Sequence, residues 1–331
     1  MNTRILCAAQ LGAALIVVLA TGCGSATSSS PEPEKPDLVV AAIPSVDLAS
    51  LYIAQDDGLF AQQGLHVSIE KIPSSQAIIA DQLKGQVDIS AGSYVGYISA
   101  QAEGARFRIL AEASILRPGC RELVTGPNSP IMTIADLVGK KIGVNGTNSI
   151  GTLLISVLLA EHGISPKKVH FITDGKGFPA MPGQLDHGAW SAAFLAQPYV
   201  TIAGEAYGEQ VLADLDQGAT TDFAIDGYVA TQAWVKKYPG TAAAFVRAIE
   251  EGQALANNEP RVVQTAMAKS DNLSLQVTAL ISLPGFPTGP VDEERIQREA
   301  NLMLQFGVLG TEYAKEVGQG TLVSSMVGPV P

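Results

Sequence analysis

Residues 38–71 read LVVAAIPSVDLASLYIAQDDGLFAQQGLHVSIEK, and this stretch decides the fold. It opens with Leu38 to Ala42, a short apolar run of the kind that forms a buried strand. A helical segment, Ser50 to Asp57, follows, with Asp47 or Ser50 as a candidate N-cap. His66 to Lys71 then alternates apolar and polar residues in the pattern of a second strand. A strand, a helix and a strand in this order predict a parallel βαβ unit.

The same alternation continues along the chain and then restarts. Further strands are predicted at Val87 to Ala91, Phe107 to Glu112, Val169 to Ile172 and Trp190 to Leu195, and the segment Asp136 to Val144 is predicted as a short helix, a turn and a strand. Helices are predicted between them, beginning at Ser74-Ser75, after Gly92-Ser93, at Ser149 or Thr152, at Phe178 and at Pro198. Because the two series share one order, the sequence predicts two α/β lobes of related design, each with a mainly parallel sheet. After about Tyr228 the chain is predicted to be largely helical.

The N-terminal residues have the pattern of an export signal. Arg4 is followed by an apolar run, Ile5 to Ala20, and small residues then lead to a cysteine. Leu19-Ala-Thr-Gly-Cys23 resembles a bacterial lipobox, which implies cleavage before Cys23, attachment of lipid there and retention on the extracytoplasmic face of the cell membrane. An ordinary secretory signal cut near Ala26 is the alternative. A spanning helix is less expected because about 16 apolar residues fall short of the roughly 20 required.

Composition excludes several classes of function. The chain is 47% hydrophobic and 16% charged, as in a globular protein with a large core, and its net charge of −11 disfavours binding to nucleic acid. Apart from Cys7 and Cys23 the only cysteine is Cys120, so no intramolecular disulfide is predicted in the mature chain. The four histidines are dispersed, and we predict no metal, no cofactor and no catalytic residues. They are His66, His162, His170 and His187.

Several motifs lie in the order and spacing of a known family. They are Tyr52-Ile-Ala-Gln-Asp-Asp-Gly-Leu-Phe60, Gln63-Gly-Leu-His-Val67, Leu83-Lys-Gly-Gln-Val-Asp-Ile89, Asp136-Leu-Val-Gly-Lys-Lys-Ile-Gly-Val144, Ala196-Gln-Pro-Tyr-Val200 and Tyr238-Pro-Gly. From Leu38 to about Leu309 the chain resembles the nitrate/sulfonate/taurine-type solute-binding proteins of ABC importers. That broad family also includes binders of thiamine-precursor pyrimidines. Two positions depart from its pattern, since Trp190-Ser191 replaces Val-Asp and Gln197-Pro198 replaces Glu-Pro.

The resemblance implies a two-lobed periplasmic-binding-protein fold of type II, with two hinge crossovers and a ligand cleft between the lobes. The crossovers are expected near Arg121 to Pro127 and Thr221 to Tyr228. The expected divisions are residues 1–22 for the lipoprotein signal peptide, 23–37 for the lipidated cysteine and a flexible tether, 38–124 for the first part of lobe 1, 125–227 for lobe 2 and 228–331 for the mainly helical completion of lobe 1.

Polar residues follow the strand ends at which ligands bind in open α/β sheets. The candidate ligand-binding residues are Ser45, Asp47, Ser74, Ser75, Gln76, Ser93, Tyr94, Thr147, Asn148, Ser149, Gln197 and Tyr228. Hydroxyl groups and converging helix N-termini favour an anion, and the tyrosines would suit a planar ring. Each hydroxyl residue has a second interpretation as the cap of its own helix. Arg117 and Arg121 are candidates to clamp a sulfonate or carboxylate, although solvated loop arginines are the simpler interpretation.

The sequence thus predicts a lipid-anchored, monomeric solute receptor, not an enzyme, that delivers a small anion to an ABC permease. The expected anion is of the sulfonate, taurine or nitrate kind. A pyrimidine or another heterocycle is the alternative ligand. An enzyme or a sensor lipoprotein on the same fold are the alternative functions.

Overall fold

The opening stretch folds into the predicted parallel βαβ unit in the computed structural model, which describes residues 32–329. β1 (Asp37–Ala42) pairs with β2 (His66–Lys71) from its first residue to its last. Between them lie a 3-10 turn at Val46–Leu48 and two helices, α1 (Ala49–Asp56) and α2 (Leu59–Gln62). The predicted N-cap is wrong, because the 3-10 turn starts the helical segment earlier. Ser45 is the cap, and its hydroxyl accepts a hydrogen bond from the Asp47 N–H at 3.3 Å.

Two five-stranded sheets form within the described residues, and their strand orders correspond. The first sheet has the order β2-β1-β3-β10-β4, with β3 (Ile89–Ser93), β4 (Phe107–Ile115) and β10 (Ala224–Thr231). The second has the order β7-β6-β8-β5-β9, with β5 (Arg121–Thr125), β6 (Lys141–Gly143), β7 (His170–Ile172), β8 (Ala192–Ala196) and β9 (Gln210–Asp214). This correspondence confirms the two related α/β units.

Each sheet contains one antiparallel strand, and that strand marks where the chain crosses between sheets. β10 runs antiparallel to β3 and β4, and β5 runs antiparallel to β8 and β9. The other four strands of each sheet therefore share a direction, as the mainly parallel prediction requires. The chain enters the second sheet as β5 and returns to the first as β10. The predicted divisions between the lobes, at residues 124–125 and 227–228, fall within β5 and β10.

Helices cover both sheets. Those of the first α/β series are α3 (Ser75–Leu83) and α4 (Tyr94–Ala102), and those of the second are α5 (Ile150–Glu161), α6 (Met181–Asp186) and α7 (Tyr199–Tyr207). The C-terminal helices are α8 (Gln232–Lys237), α9 (Pro239–Asn258), α10 (Pro260–Asp271), α11 (Leu275–Thr278), α12 (Glu293–Gln305), α13 (Ala314–Gly318) and α14 (Thr321–Ser324). They return to the first sheet, since α9 and α10 pack on α1 and α12 packs on α4. In residues 32–329, no helix combines the length and apolar character needed to cross a bilayer.

The end of the predicted flexible tether is docked on the folded chain. The Glu34 carboxylate accepts hydrogen bonds from the N–H groups of Gly240 at 3.0 Å and Thr241 at 2.8 Å, which lie in the first turn of α9. Lys35 pairs with Asp88. The prediction of a flexible spacer is therefore wrong for these residues, because a helix N-terminus binds a carboxylate without requiring apolar surface. The predicted signal peptide and Cys23 lie outside the described residues.

Trp190 packs as a core residue and depends on a glycine in the neighbouring strand. Trp190 is buried, and a Cβ atom on Gly143 of β6 would lie 2.2 Å from its Cε3 atom. Real Cβ atoms essentially never approach so closely, so any larger residue at this position displaces the indole or the strand. The exchange of Val-Asp for Trp190-Ser191 thus has a packing explanation inside the second sheet.

We predict that Gly143→Ala lowers the free energy of unfolding by about 1–3 kcal/mol, because the added methyl overpacks the Trp190 site. Urea denaturation measures this change. Gly126→Ala is the matched control, since nothing lies within 4 Å of a Cβ there, and it should change stability by less than about 0.5 kcal/mol. Equal stability of the two variants would contradict the packing account.

Candidate ligand-binding site

The carboxyl ends of the strands of the two sheets face each other and are in contact. The N–H of Val46, after β1, donates to the carbonyl oxygen of Gln197, after β8, at 3.0 Å. Farther along, the Gln76 side chain donates to the carbonyl oxygen of Asn148, and the Asn148 amide lies 3.4 Å from the Ser99 hydroxyl. We call the region between these facing strand ends the cleft. In this structure its two walls are closed against each other.

Small polar side chains from both sheets are buried in the cleft. Those predicted to bind ligand and found buried here are Ser45, Asp47, Ser75 and Ser93 on the first wall and Ser149 and Gln197 on the second. Ser74 and Asn148 are half-buried, and Gln76 and Thr147 are exposed at the rim. The structure therefore brings ten of the predicted residues to one region, contributed by both walls. Their role as ligand contacts stays a prediction.

Some of these hydroxyl groups cap their own helices, as the alternative interpretation proposed. The Ser74 hydroxyl accepts from the Ala77 N–H at 3.3 Å, and the Ser93 hydroxyl accepts from the Val95 N–H at the same distance. The Ser75 hydroxyl accepts from the Ser93 N–H at 3.1 Å, and so joins two strand ends of the first wall. A hydroxyl that accepts one hydrogen bond still has its own O–H to donate.

Two buried polar atoms of the second wall have no hydrogen-bond partner among the described residues. They are the Ser149 hydroxyl and the Oδ1 atom of Asn145. Of the two predicted starts of α5, Ser149 and Thr152, Ser149 holds the N-cap position, but its side chain does not cap the helix. Because buried polar atoms almost always have partners, these two are candidates to bind a solute. Asn145 was not among the predicted residues, although its place directly after β6 and Val144 marked it as a strand-end residue.

Arg121 lies at the back of the cleft and joins the two walls. Its Nη2 atom is 2.7 Å from Oδ2 of Asp47 and 3.3 Å from Oδ2 of Asp226, and all three side chains are about 98–99% buried. The guanidinium is flanked by the rings of Phe178 and Phe194, whose centroids are 5.6 and 5.8 Å from Cζ. The expectation of a solvated loop arginine is wrong for Arg121, because it begins β5. Its Nε and Nη1 atoms have no partner among the described residues.

Burial shapes the acid–base behaviour of this cluster. Desolvation, together with the negative charge of Asp47, raises the pKa of Asp226 to about 7, although Arg121 acts in the opposite direction. The Glu299 carboxyl is also buried, and desolvation raises its pKa well above the ordinary range. Asp226 can therefore exchange a proton near neutral pH, and burial favours the neutral form of Glu299.

The aromatic residues lining the cleft differ from those predicted. Tyr228 faces α1 and α9, where its hydroxyl lies 2.8 Å from that of Ser50 and its ring packs on Phe245. Tyr94 is fully buried against Gly227. Sequence reasoning missed Tyr199, which follows Pro198 and stacks on Phe178 with the ring centroids 6.2 Å apart. The signal was its position in the Ala196-Gln-Pro-Tyr-Val200 motif, directly after a strand end.

The described residues offer little for nucleophilic or metal chemistry. Burial raises the pKa of the Cys120 thiol far above its usual range, so the thiolate is disfavoured. All four histidines are exposed. Within residues 32–329, no group of three His, Cys, Asp or Glu side chains is arranged to hold a metal ion. What the cleft can do chemically is bind a polar solute through hydrogen bonds, the Arg121 charge and aromatic stacking.

Comparison with solved structures identifies the fold. The alkanesulfonate-binding protein SsuA from Xanthomonas axonopodis pv. citri, bound to MOPS, superposes with a TM-score of 0.72 at 16% identity, covering 83% of this chain and 95% of that one. The periplasmic nitrate-binding protein NrtA from Synechocystis PCC 6803 gives 0.72 at 16% identity, covering 89% of both. The CA3427 gene product of Candida albicans, which has the generic periplasmic-binding-protein fold, gives 0.74 at 18% identity, covering 89% and 97%. The chain therefore has this fold.

Sequence comparison gives the family. A comparison with curated proteins found no match. The model of the NMT1/THI5-like family matches residues 45–262, a segment that contains the cleft residues after β1, β3, β6 and β8. Since this segment is more than half of the chain, the protein belongs to the NMT1/THI5-like family.

Proposed function

We propose that the protein is the extracytoplasmic, lipid-anchored solute-binding protein of an ABC importer. In this proposal it captures a small organic or inorganic anion of the sulfonate, taurine or nitrate kind and delivers it to the membrane permease as a monomer. One observation carries the proposal. Buried polar side chains from both sheets meet in one closed cleft, and Ser149, Asn145 and Arg121 present polar atoms there that have no partner within residues 32–329. The names of the SsuA and NrtA neighbours agree with such a ligand.

Closure of the cleft would couple binding to delivery. The two chain crossings would act as the hinge, with residues 38–124 and 228–331 forming lobe 1 and residues 125–227 forming lobe 2. Contacts such as Val46 N–H to Gln197 O span the two sheets, so they exist only when the cleft is closed. A solute that contacts both walls binds the closed state better and shifts the population toward it. A permease can then distinguish the loaded protein from the empty one.

Local charges favour an anion despite the acidic net charge. The N-terminus of α5, a helix of 12 residues, points into the cleft beside Ser149. Its free N–H groups and its dipole attract negative charge, and the Nε and Nη1 groups of Arg121, which have no partner among the described residues, can donate hydrogen bonds to an anion. The first turn of α3 offers a second helix N-terminus at the rim. These fields act over a few ångströms, where the net charge of the whole chain has little influence.

A planar heterocycle is the second candidate solute. The rings of Phe178 and Tyr199 favour it, because their planes differ by only 13° and they place aromatic side chains beside the Arg121 cluster. A sensor role would use the same binding and closure, with a signalling protein in place of the permease. An enzymatic role would need an acid/base or nucleophile constellation, and the described cleft residues supply none.

The solute can be identified by a thermal-shift screen of ethanesulfonate, taurine, nitrate, a thiamine-precursor pyrimidine and riboflavin. A solute at a hundredfold excess over its Kd stabilises the protein by about 2.7 kcal/mol. We predict a rise in Tm with at least one of the three anions. A rise with the pyrimidine or the flavin alone would reject the anion and establish the heterocycle.

We predict that Ser149→Ala weakens binding of the solute about 5- to 30-fold, the effect of losing one buried hydrogen bond. The Tm of the free protein should hardly change, since this hydroxyl has no partner among the described residues. Ser156→Ala is the matched control on the same helix, because its hydroxyl is bonded within α5 to the Thr152 carbonyl oxygen. Calorimetric titration of both variants measures the difference. Unchanged affinity in Ser149→Ala would remove Ser149 from the site.

The lipid anchor can be tested separately. We predict that Cys23→Ser moves the protein out of the membrane fraction and abolishes incorporation of labelled palmitate, because it removes the thiol that carries the lipid. Cys7→Ser should leave both unchanged, since Cys7 lies within the predicted signal peptide. Persistent labelling of the Cys23→Ser protein would show that the anchor is elsewhere.

A further inference from the structure

The buried ion cluster behind the cleft has an uneven charge balance. Arg121 supplies one positive charge, whereas Asp47 and Asp226 supply two negative charges when both are ionised. Both carboxylates approach the same guanidinium nitrogen, Nη2, at 2.7 and 3.3 Å. Nε and Nη1 have no partner among the described residues. The guanidinium therefore has N–H groups available to another acceptor, although its charge is already shared by two carboxylates.

The two carboxylates are not held equally. Asp47 has the shorter contact with Arg121, and it also accepts hydrogen bonds from the hydroxyls of Ser45 and of Ser114, the latter at 3.0 Å. Asp226 has the longer contact with Arg121 and, in the part of the chain that the structure describes, no hydroxyl donor of this kind. Hydrogen bonds to a carboxylate favour its ionised form, so Asp226 is the carboxyl that takes up a proton more readily.

The other described groups that face Asp226 supply no second positive charge. They are Tyr94 and Tyr97 from α4, Tyr228 from its own strand and Glu299 from α12. Burial raises the pKa of the three tyrosines further above neutrality, so they carry no charge near pH 7, and burial also raises the pKa of Glu299, which favours its neutral form. The charge state of the cluster near neutrality is therefore set by Asp47, Arg121 and Asp226.

We propose that an anionic solute is bound together with a proton, the anion accepting hydrogen bonds from Nε–H and Nη1–H of Arg121 while Asp226 becomes protonated. This inference rests on the anionic solute of the proposed function. A third negative charge beside one guanidinium is unfavourable in a desolvated site, and protonation of Asp226 restores the balance. The cluster then holds one cation, one aspartate and one anion in place of one cation and two aspartates.

The direction of the pH dependence follows from the free protein. With the pKa of Asp226 near 7, this carboxyl is protonated at pH 6 before the solute arrives, and binding takes up little further proton. At pH 8 it is ionised in the free protein, and binding takes up close to one proton per solute. Affinity should therefore be greatest at or below pH 6 and fall above pH 7, by at most about tenfold per pH unit.

The test is calorimetric titration of the wild-type protein with ethanesulfonate, taurine and nitrate at pH 6, 7 and 8, in Bis-Tris and Tris buffers. We expect the Kd of the bound anion to rise 3- to 10-fold between pH 7 and 8 and less between pH 6 and 7. Asp226→Asn should bind at pH 8 about as tightly as the wild type binds at pH 6. A pH-indicator measurement in weakly buffered wild-type solution gives the proton uptake directly, whatever the stability of the variant.

Glu122→Gln is the matched control. Glu122 follows Arg121 on β5, so its side chain points to the other face of the strand, and burial and the Asp214 charge raise its pKa to about 8. This variant should keep the wild-type pH dependence. Anion binding with equal Kd at all three pH values and without proton uptake would overturn this inference and leave the proposed function intact. The inference is also overturned if the pH dependence persists in Asp226→Asn or disappears in Glu122→Gln. Failure of all three anions to bind would overturn both.

Discussion

A buried arginine between two sheets is the interaction on which the rest of the cleft depends. Arg121 is charged at every accessible pH, so its burial requires carboxylate partners. Those partners, Asp47 and Asp226, lie on the other sheet. The ion pairs therefore hold the loop after β1 and the returning strand β10 against the start of β5. Both chain crossings are adjacent to this cluster. The charges of Arg121, Asp47 and Asp226 therefore lie at the hinge about which the two sheets would move.

The positions of the polar side chains follow from the same arrangement. The two sheets have matching strand orders, and the carboxyl ends of their strands face each other. The helix N-termini and the hydroxyl groups that follow these strand ends therefore converge in the cleft. A solute-binding role needs a site formed by both walls, because such a site is complete only when the cleft is closed. Under the proposed proton coupling, the solute would also change the ionisation of Asp226, which pairs with Arg121 and so helps to hold the walls together.

The features that could be predicted from the sequence are those set by neighbouring residues, namely strands, helices and helix caps. Alternating strands and helices gave the two related units, and Ser74 was correctly placed as the cap of α3 because capping residues lie beside their helices. The buried Arg121 could not be predicted in the same way, because its partners are 74 and 105 residues away in the chain. The docking of Glu34 could not be predicted for the same reason, because its hydrogen-bond donors lie in α9, about 200 residues later in the chain. Strand periodicity also did not show that Tyr228 faces α9 rather than the facing sheet.

Hydrogen–deuterium exchange of the peptide containing Val46 tests the central claim most directly. The Val46 N–H donates to Gln197 O on the opposite wall, so its exchange requires the walls to separate. If a solute closes the cleft, saturating solute slows exchange at Val46 and also in the segment 145–150 of the second wall. Unchanged exchange at Val46 with the solute bound, or protection of one wall alone, would contradict a site completed by closure.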